Sequence, residues 1–199
     1  MGPSGRGRRR GSGAPETEHP NATPAATDPE PDPESGARAI LLRQLAAAPR
    51  SRHQLAEALA RRGVEDDVAD RVLDRFAEVG LIDDAEYAAT LVRSRHASRG
   101  LARRALAVEL RRKGIGDQHA QDALAQVDDA AEELAARDLL RRRFGAGEDL
   151  DPQVQARRAM AMLGRKGYSS GLSARLVREM VDDRGRGPGE PWETPTETD

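Results

Sequence analysis

The chain contains no cysteine, which excludes disulfides, thiolate metal sites and redox chemistry at thiols. Aromatic residues are scarce, with two Phe, two Tyr and one Trp in 199 residues, and Phe76 and Tyr87 sit at apolar-face positions, so a base-stacking surface for single strands is not expected. No apolar run reaches transmembrane length and no charged-then-apolar leader opens the chain, so a soluble, cytoplasmic protein without a membrane partner is expected. No segment alternates convincingly at period two, which leaves an all-helical fold. Lysine is almost missing too: two stand against thirty arginines. That bias, with abundant alanine, suits a high-GC genome, so a single arginine says little and patterns must carry the reading.

Both lysines, Lys113 and Lys166, follow an arginine and precede a glycine, and that shared frame exposes a repeat. Three segments superimpose on Gly63, Gly114 and Gly167, at shifts of 51 and 53 residues. Four residues before each glycine stand Leu59, Leu110 and Leu163, and directly before it Arg61-Arg62, Arg112-Lys113 and Arg165-Lys166. After the glycine, positions 5, 9, 10 and 13 hold Val68, Val72, Leu73 and Phe76 in the first copy, with His119, Ala123, Leu124 and Val127 in the second. The third has Leu172, Leu176, Val177 and Met180. This spacing is one face of a helix. A further helical stretch lies upstream, at Ile40-Leu41 and Leu91-Val92, so each copy reads as three helices.

The expected organisation is an elongated array of three tandem three-helix repeats, over 37–84, 85–132 and 133–183, each lending its neighbour part of a core. The third needs extra residues around Phe144 to Leu150 to keep register. Residues 1–36 and 184–199 are rich in Gly, Ser, Pro and Thr without apolar periodicity and read as disordered tails, with Trp192 in the second.

Ser51-Arg52-His53-Gln54 has the capping-box form and starts the second helix of repeat one. Asp83 to Glu86 does the same for repeat two, and Asp151-Pro152 opens a long helix ending near Lys166. Each repeat glycine falls where a second helix stops and is read as a terminator in left-handed conformation.

Net charge is only −2, but it is unevenly spread. Glu65 to Glu86 holds nine acids and two bases, whereas Arg93 to Lys113 holds eight bases and one acid. In the helix starting near Leu101, steps of 100° put Arg104 and Arg111 opposite the apolar Leu106 and Leu110, with Arg103 between. Folding does not need those outward arginines. Arg112-Lys113 and Arg165-Lys166 repeat the basic pair at the glycine, and a row of cations suits a polyanion or a repeating acidic surface.

The stretch Gly80-Leu81-Ile82-Asp83-Asp84-Ala85-Glu86-Tyr87-Ala88, then Val92-Arg93-Ser94-Arg95, Gly100 and Glu109-Leu110-Arg111-Arg112-Lys113-Gly114-Ile115, resembles the RecX family of recombination regulators. Met162-Leu163-Gly164-Arg165-Lys166-Gly167-Tyr168 fits the same pattern, and the likeness spans about residues 37–183. The resemblance implies three three-helix units and a monomer that occupies the helical groove of the RecA nucleoprotein filament. There it hinders extension or promotes disassembly, suppressing ATP hydrolysis, strand exchange and repressor-cleaving coprotease activity. It further implies that Arg103, Arg104, Arg111, Arg112, Lys113, Arg165 and Lys166 face the filament and its DNA, with weak binding to single- or double-stranded DNA alone. The acidic stretch around Glu65 to Asp74 would meet basic surfaces of RecA.

A different class is a helix-turn-helix transcriptional regulator. Ser51 to Phe76 has that outline, with Leu55, Leu59, Val68 and Val72 as core, but its second helix begins Glu65-Asp66-Asp67, which repels phosphate. Arg175 and Arg178 on the last helix are the candidates for reading DNA in repeat three. No enzyme, cofactor or metal is expected. His19, His53, His96 and His119 lack metal-ligand spacing, and His119 takes a position filled by Val68 and Leu172 in the sister repeats, which makes it a core residue. Acid pairs such as Asp66-Asp67 are adjacent in sequence and diverge by 100° on a helix. The glycine-rich segments lack a phosphate-loop Lys-Ser/Thr.

Overall fold

Ser51 begins α2 (Arg52–Ala60) as a capping box: its Oγ accepts from the Gln54 N–H at 3.3 Å, and Gln54 Oε1 accepts from the Ser51 N–H at 3.3 Å. The computed structural model describes residues 32–144 and 151–185, and among these residues every regular element is a helix. With α2, α1 (Pro33–Ala47) and α3 (Asp66–Glu78) form repeat one, while α4 (Asp84–Arg99), α5 (Arg103–Arg112) and α6 (Asp117–Leu124) form repeat two. Repeat three comprises α7 (Asp129–Phe144), α8 (Pro152–Arg165) and α9 (Ser170–Gly185). The expected all-α tandem is therefore observed. The first helix starts at Pro33, ahead of the tail boundary read at residue 36, because Asp32 caps the Glu34 N–H at 3.2 Å and Pro33 occupies the first turn. The tails over 1–31 and 186–199, and the insertion over 145–150, lie outside the described residues.

Each repeat has its own core. Leu41, Leu55, Leu59, Leu73 and Phe76 meet in the first, and Val92, Leu106, Leu110 and Ile115 in the second. Leu140, Leu163, Tyr168 and Leu176 fill the third, joined by Ala102 from repeat two. Burial of one such leucine contributes about 1.5–3 kcal/mol. His119 does not take its expected place: it is exposed, and Ala120 beside it is buried. The position shared by the three third helices is the next one along, Ala69, Ala120 and Ser173. A small side chain there permits close helix packing, and an imidazole one step away reaches water.

The joints between repeats repeat as well. Ser51 Oγ donates to the Lys113 carbonyl at 2.5 Å, and one period later the Ala102 N–H donates to the Lys166 carbonyl at 3.0 Å. The next N–H in each helix is capped by a carboxylate of the following repeat: Arg52 by Asp84 Oδ1 and Arg103 by Glu132 Oε1, both at 2.8 Å. Gly63, Gly114 and Gly167 all have positive φ, at 72°, 69° and 89°. Termination is only part of their role. A Cβ on Gly114 would lie 2.2 Å from the His53 ring, and one on Gly167 would lie 2.7 Å from the Ala105 backbone nitrogen, whereas Gly63 has nothing within 4 Å. Among the described residues, no repeat precedes the first for its glycine turn to dock against. At the other end Asp151 caps α8 locally, accepting from Gln153 and Val154, and Pro152 has no N–H for a fourth repeat to cap.

Repeat three is also closed by ions. Arg175 Nη2 lies 2.5 Å from Glu133 Oε2 and Arg137 Nη2 lies 2.9 Å from Glu179 Oε2, while Arg137 also meets Glu133. The Arg175 hydrogen bond, with Arg137 behind it, pulls the Glu133 carboxyl down to about 2. A depressed carboxyl stabilises the fold above the ordinary carboxylate range and loses that contribution as pH falls through its folded value. Glu133→Gln should therefore lower the thermal midpoint near neutrality, with the gap to the parent closing as the pH approaches about 2.

Candidate polyanion-binding groove

The exposed side of α5 faces the turn that ends α8, because the Ala102–Lys166 bond draws that turn against the start of α5. Between them runs a groove of about 770 Å³ into which Arg99, Arg104, Arg112, Lys113 and Arg165 project. The one carboxylate among the described residues lining it, Glu109, is engaged by Arg95 Nε at 2.9 Å. The five cations make no ion pair among the described residues. Five like charges on one depression repel one another, and a multivalent anion relieves that repulsion. Ala105, Val108 and the two glycines of the turn, Gly164 and Gly167, leave the floor open.

The seven basic residues singled out from sequence divide by role. Arg104, Arg112, Lys113 and Arg165 share the groove, whereas Arg111 is exposed but does not line it. Arg103 is turned to α7, bonded to Asp129 and, at 3.2 Å, to Glu132 Oε2. Its guanidinium pKa is raised, chiefly by the hydrogen bond to Asp129. Lys166 donates its Nζ to the Arg99 carbonyl across the joint. These two hold the groove's walls in place.

Arg99 was not singled out, although its position in the last turn of α4 next to Gly100 is a signal of a cation at a helix end. A second depression of about 310 Å³ takes Arg143, Arg158 and again Arg165, so the cationic surface continues past the first groove onto α7 and α8. The run Arg141-Arg142-Arg143 marks it in sequence. Tyr168, whose OH donates to the Gly100 carbonyl at 3.0 Å, is buried beneath the groove, and that burial pushes its phenol up to about 12. Its ring serves the joint rather than a stacking surface. Arg175, a candidate for reading DNA, is spent on Glu133 and Glu179. On α3 the acids that would repel a phosphate are exposed at Glu65, Asp66 and Asp67. No helix among the described residues is long and apolar enough to cross a membrane, and no group of three metal-ligating side chains occurs among them.

Comparison with known proteins gives one consistent result. Family descriptions match in tandem: RecX, first three-helix domain, over residues 37–76, the second over 83–124 and the third over 131–177. The regulatory protein RecX of Thermobifida fusca (strain YX) is 52% identical over 149 residues, 75% of this chain and 80% of that protein. That of Streptomyces coelicolor is 49% identical over 158 residues, covering 79% and 84%. The crystal structure of RecX from Lactobacillus salivarius shares the fold, with a TM-score of 0.64 at 22% identity over 76% of this chain and 97% of that one. A crystal structure of a regulatory protein RecX gives 0.64 at 26% identity, over 76% and 74%.

Proposed function

The chain belongs to the RecX family, and on that premise we propose that it is a negative modulator of the RecA recombinase. It occupies the groove of the RecA–DNA filament in the cytoplasm and suppresses the filament's ATPase, strand-exchange and coprotease activities. It catalyses nothing itself. The observation that carries this reading is the convergence of Arg104, Arg112, Lys113 and Arg165, from two repeats, on one depression whose only acid among the described residues is already engaged. Arg111 extends that surface, while Arg103 and Lys166 position it. Such a surface contacts backbone charge without reading base sequence, as a protein that follows a filament on any DNA needs.

The test is the DNA-dependent ATPase of RecA on single-stranded DNA, titrated with this protein at fixed salt beside its binding to bare DNA. Inhibition is expected at concentrations well below those that coat the DNA. Inhibition only once bare DNA is saturated would replace this reading with that of a DNA-binding regulator.

A further inference from the structure

The groove has a counterpart in its own chain. Residues 186–199 hold Glu190, Glu193, Glu197 and Asp199 against a single arginine, Arg186, and they include the only tryptophan, Trp192. Glu190-Pro191-Trp192-Glu193 thus sets an aromatic ring between two carboxylates. The groove offers the complement: cations on both walls and an apolar strip at Ala105 and Val108, the latter 37% exposed. An indole on that strip lies beside guanidinium groups it attracts.

Reach agrees with chemistry. Helix α9 begins at Ser170, two residues after Tyr168 in the groove wall, and its 16 residues carry the chain about 24 Å away. Seven residues separate Trp192 from Gly185, and a segment of that length spans at most about 24 Å, the same distance.

We propose that segment 186–199 docks in the groove between repeats two and three and competes there with the polyanion. The inference rests on the reading of the groove as an anion-binding surface, whatever filament it serves. Tethering gives the segment an effective concentration on the order of millimolar, so weak docking suffices to compete. Screening shortens the range of these charges to about 10 Å at 0.1 M salt, so the competition is strongest at low salt.

Because Trp192 is the only tryptophan, its emission in the full chain reports docking directly. At low salt the emission should be blue-shifted and partly shielded from iodide. It should move to that of a solvated indole when a short dT oligonucleotide is added, and equally when Arg104, Arg112 and Arg165 are replaced by Ala without DNA. The full-chain variant Glu190→Gln, Glu193→Gln, Glu197→Gln should bind the oligonucleotide about fivefold more tightly than the parent at low salt. Solvated Trp192 emission that responds to neither treatment, with unchanged oligonucleotide affinity in the Gln variant, overturns the docking and leaves the groove reading intact. If the Gln variant binds no oligonucleotide while Trp192 is shielded, the groove is not the nucleic-acid surface. The docking inference then falls with it as a competition.

Discussion

Gly167→Ala should be among the most damaging single-methyl substitutions in the protein. The residue has φ +89°, where an L side chain costs about 1–2 kcal/mol. Its Cβ would also stand 2.7 Å from the Ala105 backbone nitrogen and 2.8 Å from the Ala105 Cβ, and neither atom can swing away. The joint must open, and with it go the Ala102–Lys166 bond, the Tyr168–Gly100 bond and the α8-turn wall of the groove. Gly63→Ala is the internal control: φ is +72° but nothing lies within 4 Å, so only the backbone cost applies. Gly114→Ala carries the same double cost, because its Cβ would stand 2.2 Å from the His53 Cγ and 2.3 Å from the His53 Cβ, which is fixed to the backbone of α2. His53→Ala removes the ring but keeps that Cβ, so it should recover little of the loss at Gly114 and nothing at Gly167. Denaturant unfolding of the five proteins decides it. Gly114 and Gly167 should both cost clearly more than Gly63, and equal costs at all three would mean that the joints add nothing to stability.

How far the sequence could anticipate this is clear from the same residues. The shifts of 51 and 53, the recurrent leucine before each glycine and the caps at Ser51, Asp83 and Asp151 express local chemistry, and three three-helix repeats follow from them. Periodicity also turned Arg104 and Arg111 outward, because an α-helical face needs no partner to be read. What stayed hidden depends on contacts between residues about sixty apart. Gly114 and Gly167 look like terminators in sequence, and only the packing of one repeat on the next shows that they are also where the repeats meet. Arg103 and Lys166 have the same composition signal as their neighbours, yet a carboxylate from α7 claims one and a carbonyl from α4 the other. His119 fails for a different reason. A helical face is wider than one residue, and at its edge the choice between His119 and Ala120 is settled by which side chain fits the narrow interhelical space.

Replacement of Arg104, Arg112, Lys113 and Arg165 by Ala should abolish most of the inhibition without touching the fold. Three of the four are exposed and Lys113 is half-buried, and none is committed to an ion pair, so the circular-dichroism signal should be unchanged. Each phosphate contact on a single strand contributes about 0.7 to the slope of log affinity against log salt, so losing four should flatten the slope by about 3. At moderate salt that corresponds to a loss of about 100-fold in binding. Arg103→Ala and Lys166→Ala are the discriminating comparison. Because these side chains bond to α7 and to the Arg99 carbonyl, their removal should lower stability by about 1 kcal/mol, as for other exposed pairs, and barely change the salt slope. A quadruple variant that unfolds would place the four cations in the structure rather than the interface. A well-folded one that still inhibits would move the filament contact elsewhere, first to Arg143 in the adjoining depression.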